Sequence, residues 1–160
     1  MELNVPRAVA SSLVFWVGGV AFFLASFAVP LMADAELQAN VVLFIVVPPL
    51  AVLGAWCYYR GGQSTPGYAL GAVMFAIGGT MDALVTVPVF MLPTGITYFE
   101  FYADPKFWLV GLEIIAANTA YWCLAVKPRR PSSQVVERQT LLLTKPQQQA
   151  ATPQQQQQLK

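Results

Sequence analysis

Asp82 and Glu113 stand in apolar stretches that hold no Lys or Arg to pair with them. A carboxyl group placed in hydrocarbon without a cation has few uses. It exchanges a proton, holds a cationic solute, meets a basic side chain on a partner helix, or ties two helices together by a hydrogen bond. Lacking a cation, each acid is expected to be carried with its proton. Thr86 lies one helical turn beyond Asp82 and adds a hydroxyl on the same face. Pro48 and Pro49 have no N–H and leave the carbonyls of Phe44 and Ile45 without a helical donor; Pro88 does the same for Leu84. The candidate intramembrane polar site is therefore Asp82, Glu113, Thr86, Pro48 and Pro49.

Other chemistries lack their residues. The chain has no His, which removes the usual Ser-His and Cys-His arrangements and most zinc sites. Cys57 and Cys123 show no CxxC spacing, so neither a metal nor a redox reading has support. A carboxyl pair can do acid–base work, but no nucleophile or metal set accompanies it. The sequence reads as non-enzymatic, with no cofactor and no metal.

The elements that must position these residues are readable from composition. Of 160 residues 56% are hydrophobic and only 11% charged, where a soluble domain carries about a quarter. Charge-poor runs occupy about 8–32, 41–59, 68–92 and 107–126, each reaching the ~20 residues that span a bilayer as a helix. The expected fold is all-α: a four-transmembrane-helix bundle over residues 1–126, followed by a disordered Gln/Pro-rich C-terminal tail over 127–160. Lipid is the expected surrounding, and nothing in the charge pattern suggests nucleic acid.

Orientation follows from where the cations fall. Arg7 precedes the first span, Arg60 follows the second, and Lys127, Arg129, Arg130, Arg138, Lys145 and Lys160 follow the fourth. The opposite side holds Asp34, Glu36, Glu100 and Asp104, with Lys106 alone among them. The positive-inside rule makes both termini and the 60–67 loop cytoplasmic in a plasma (inner) membrane. Arg7, the first apolar run and Ser26-Phe27-Ala28 also match a signal peptide loosely, although the run continues through Met32.

The loops are marked by their own chemistry. Asp34, Glu36 and Asn40 mark a short outer turn, and Arg60-Gly61-Gly62-Gln63-Ser64-Thr65-Pro66-Gly67 a Gly/Pro turn, with Pro66 placed to begin the third helix. Aromatic residues crowd the outer 93–106 connection, which reads as an interfacial belt, with a lid over an outward-facing pocket as the second reading.

Small residues locate the faces on which helices meet. On the third span Ala72, Ala76, Gly79 and Ala83 form one stripe and Gly71, Phe75, Gly78 and Asp82 the next, with Gly67 and Gly71 in GxxxG spacing. Glu113 shares a face with Ala116, Ala117 and Ala120, and Gly18 with Ala21, Ala25 and Ala28. Helical rise puts Asp82 about 15 Å and Glu113 about 9 Å below the outer ends, close enough to influence each other. Asn118 and Trp122 lie on a different face, a candidate second interface toward a further helix or a second protomer.

These residues carry a resemblance. Pro48-Pro49, Met81-Asp82-Ala83, the segment Val87-Pro88-Val89-Phe90-Met91-Leu92-Pro93 and the aromatic loop after it resemble a group of small, uncharacterised four-helix membrane proteins of bacteria. The likeness covers about residues 45–126 and implies a bacterial plasma membrane and four helices, with no mechanism. Two functional readings stay open. One is a small-solute or proton-linked transport or binding protein that uses buried carboxylates. The other is a structural or accessory subunit, a homodimer or part of a larger membrane complex, with the acids as interhelical glue.

Overall fold

The structure, a computed structural model, describes residues 3–127. The expectation of a disordered tail falls outside the described residues beyond Lys127. Within them every regular element is a helix, and four helices are long and apolar enough to cross a membrane.

Helix α1 runs Val5–Ser26 and starts where the Asn4 side chain accepts the N–H of Arg7. Helix α2 runs Ala35–Tyr59 and is capped by Asp34, which accepts from Leu37 N. The connection between them therefore sits earlier than hydropathy places it: α1 stops well before Met32, and α2 has begun before Val41. Pro30 cannot continue a helix, and one buried side chain holds the turn. Gln38 Nε2 donates to the carbonyls of Ser26 and Val29, while its Oε1 accepts from Leu31 N and Met32 N. Asp34, Glu36 and Asn40 thus cap and begin α2 instead of forming a loop. Further along, α2 passes through Pro48 and Pro49 without ending.

Helix α3 runs Gly67–Met81, widens into π-helical turns over Asp82–Met91 and tightens into a 3-10 turn at Leu92–Thr94. Together these make one continuous element of 28 residues. A short helix α4, Tyr98–Ala103, follows. Helix α5, Pro105–Tyr121, continues as π-helix through Trp122–Val126.

The core lies toward the end that carries Arg7 and Arg60, where Phe15, Ala51, Tyr58, Leu70 and Met74 are buried together. Tyr58 and Tyr59 lock the α2–α3 turn, the first through Thr65 Oγ1 at 2.7 Å and the second by donating to Thr65 O at 2.8 Å. The GxxxG pair seats α3 on α5. A Cβ at Gly71 would lie 2.7 Å from Ile115 Cα, and one at Gly67 would strike the backbone at Asn118 and Thr119. The interior stripe is the one that contains Gly71 and Gly78, while Ala72, Ala76, Ala116, Ala120, Ala21, Ala25 and Ala28 face outward. Glycine allows a closer approach than alanine, so the glycine stripe takes the seam and the alanines are left for the surroundings. Exposed Ile45, Leu84, Leu112 and Leu124 present the apolar exterior that contact with lipid requires.

Candidate functional site

Trp16 stands near the middle of α1 and Asp82 at the point where α3 turns from α to π geometry. The indole Nε1–H donates to Asp82 Oδ1 at 2.8 Å, and the Thr86 hydroxyl donates to the same oxygen at 2.6 Å. Both donors saturate Oδ1. The other oxygen, Oδ2, meets no donor among the described residues, and Asp82 lines a cavity of about 550 Å³.

That cavity lies between α1, α2, α3 and α5 at the end that carries α4. Val47 and Ile114 close it below, at a depth of roughly 15 Å from the helix ends. Its walls are aromatic, with Phe23, Phe75, Phe90, Phe101 and Phe107 among the lining residues. Glu36, Glu100, Asp104 and Lys106 ring the mouth. Lys106 Nζ reaches Glu36 at 3.1 Å and Asp104 at 3.4 Å, joining the start of α2 to the α4–α5 junction.

The aromatic loop divides between the two readings given to it. Phe99 and Trp108 face outward as a belt would, whereas Phe101 and Phe107 line the cavity. Thr97 and Glu100 form a reciprocal capping box that starts α4. Hydrogen bonds from the backbone N–H and hydroxyl of Thr97 hold the Glu100 carboxyl below its ordinary range. The Tyr98 hydroxyl donates to Ala83 O at 3.0 Å and that of Tyr102 to Gly79 O at 2.7 Å. Burial pushes the Tyr102 phenol up, and the negative charge of Asp82 adds to the shift.

Pro88 explains the Tyr98 bond. In α geometry its missing N–H would orphan Leu84 O, but in the i→i+5 register of the π segment the orphaned carbonyl is Ala83 O. Tyr98 supplies the donor that the proline lacks.

Of the five residues singled out from sequence, the structure joins Asp82 and Thr86 in one site. Pro48 and Pro49 stay within α2, and only their neighbour Val47 reaches the cavity. Glu113 does not line the cavity. The expectation of buried carboxylates is also corrected, because Asp82 and Glu113 are each only half-buried. Asp82 opens on the cavity, and Glu113 sits on the flank of α5 with Oε2 enclosed and unbonded among the described residues. The reason is the face that α5 presents: Gly111, Ile114 and Asn118 are buried, and Ala116 and Ala120 beside Glu113 are not. Asn118, expected at a second interface, is completely buried in the α3 seam. Its Nδ2 donates to Ile114 O at 2.8 Å.

Trp16 was not anticipated, although a Trp in mid-span instead of at the headgroup level is a signal in itself. The capping box was legible too, as Thr97-x-x-Glu100. Fold and site define a four-helix membrane protein with a carboxyl-bearing, aromatic-walled cavity open at one end. No family model matches the chain, and no curated protein or solved structure is found to be similar to it.

Proposed function

We propose that this chain is a non-enzymatic, plasma-membrane protein that binds a small solute in the Asp82 cavity, with both termini cytoplasmic and the cavity open to the outside. The observation that carries the reading is Asp82 on the wall of a cavity of about 550 Å³, within the volume range of small-molecule sites, with Oδ2 bonded to no donor among the described residues. The orientation rests on Arg7, Arg60 and Lys127 at one end and Asp34, Glu36, Glu100 and Asp104 at the other. The bacterial setting rests on the resemblance of the Pro48-Pro49 and Met81-Asp82-Ala83 segments. Proton-linked passage of the solute is the natural extension, since an acid open to the outside can exchange its proton there.

A second reading has its own observation. The Trp16–Asp82 bond ties α1 to α3 across 66 positions of sequence, as a purely structural or accessory subunit would need.

Gly78 separates the two. It lines the cavity, and a Cβ built there meets nothing within 4 Å. Gly78→Leu should fill the space without straining the helix. Wild-type protein in nanodiscs should bind phenylbutanol saturably above protein-free discs, as read by titration calorimetry, and the Gly78→Leu protein should not. Equal heats from both proteins would remove the cavity as the site and leave the structural reading.

A further inference from the structure

The geometry points to a lipophilic organic cation, an apolar body bearing one ammonium group, as the ligand of this cavity; this rests on the binding reading above and names the substrate class. Four features of the site converge on it.

Asp82, once ionised, can accept but not donate. The Trp16 N–H and the Thr86 O–H are both committed to Asp82 Oδ1, so the acceptor left for an incoming molecule is Oδ2. A ligand must bring the donor, and an N–H⁺ group makes the stronger, charge-assisted bond. The mouth has the matching sign. Glu36, Glu100 and Asp104 face one ammonium, Lys106, which already bonds two of them. An anion would find no uncommitted cation there among the described residues, and a cation would be drawn inward.

The walls suit a charged head with an apolar body. The rings of Trp16, Phe75, Phe90 and Phe107 line the same cavity as Asp82, and aromatic faces attract cations while apolar bodies pack against the rings. Size completes the case. A bare proton or metal ion needs no aromatic chamber of about 550 Å³, and a sugar would meet too few polar partners on these walls.

The test compares phenylbutylammonium with uncharged phenylbutanol, titrated into wild-type protein in nanodiscs at neutral pH. The ammonium should bind roughly tenfold or more tightly than the alcohol, as one added charge-assisted bond implies. Asp82→Asn should erase that preference and keep alcohol binding. Glu36→Gln, exposed at the start of α2 and outside the core, should weaken the ammonium alone by about two- to threefold, which keeps the inference testable if Asp82→Asn fails to fold. Equal affinities in the wild type would overturn the cation assignment and leave the cavity standing as a binding site. A long-chain alkyl alcohol that displaces both probes would overturn it in favour of a lipid tail. Saturable heat from neither probe would sink the binding reading itself.

Discussion

In the first half of α3 the glycines disappear into α5; in the second half Gly78 stands beside open space. A side chain at Gly71 would meet Ile115 Cα at 2.7 Å, and one at Gly78 would meet nothing within 4 Å. Both residues are glycine, both are buried, and they lie two turns apart on one face. The first excludes volume so that two backbones can touch. The second preserves volume so that the cavity beside Asp82 stays open. One residue type therefore supports two opposite designs within a single helix, and only the neighbouring helix reveals which is in force.

The largest expected effect is at the closed half. Gly71→Val should destabilise the protein by about 1–3 kcal/mol through overpacking, read as a fall in melting temperature in detergent. A neutral result would mean that α3 and α5 can part without loss, and the contrast between the halves would collapse. At the open half the sign reverses. Gly78→Ala should stabilise by about 0.5–1 kcal/mol, since helix propensity improves and no contact is violated. A loss of stability there would show that the space beside Gly78 is closed.

The smallest effect separates the two ends by pH. Glu100 bonds Thr97, and its pKa is lowered from an ordinary value of 4.5. A carboxyl group with a lowered folded pKa contributes stability above its unfolded value and loses it as pH falls through the folded one. The Thr97 amide resonance should therefore move as pH drops below about 4.5, while the Leu70 amide at the closed end holds still. Matching movements at both sites would deny that α4 is held independently of the closed end.

Much of this was legible in the sequence. Hydropathy and charge placed four spans and the all-α class because lipid allows few alternatives. Gly67 and Gly71 announced their seam by spacing alone. Helix ends were less legible, since the α1–α2 turn depends on Gln38 reaching four backbone groups that no local pattern names. The site was half legible. Asp82 and Thr86 pair within one helix and could be read from their spacing, but Trp16 meets Asp82 only through tertiary packing. Glu113 was assigned to the Asp82 layer on depth and on an alanine stripe, and Ala116 and Ala120 of that stripe proved to face outward. Pro88 signalled a freed carbonyl, but the carbonyl shifted by one residue because the turns are wide.

That wide stretch makes the protein sensitive to length in a way that substitution would not disclose. A π turn holds one more residue than the α turn it replaces, so the segment Asp82–Met91 carries a surplus that its surroundings have absorbed. Deleting a single residue between Asp82 and Pro88 while the turns stay wide would rotate everything beyond it by roughly a quarter of a turn. Phe90, Met91 and Thr94 would swing off the cavity, and Thr86 would leave its place opposite Asp82. An insertion or deletion in this short window would thus rewrite the outer wall as a unit. In a set of sequence variants from this gene, exchanges of one apolar residue for another should be frequent there and changes of count rare.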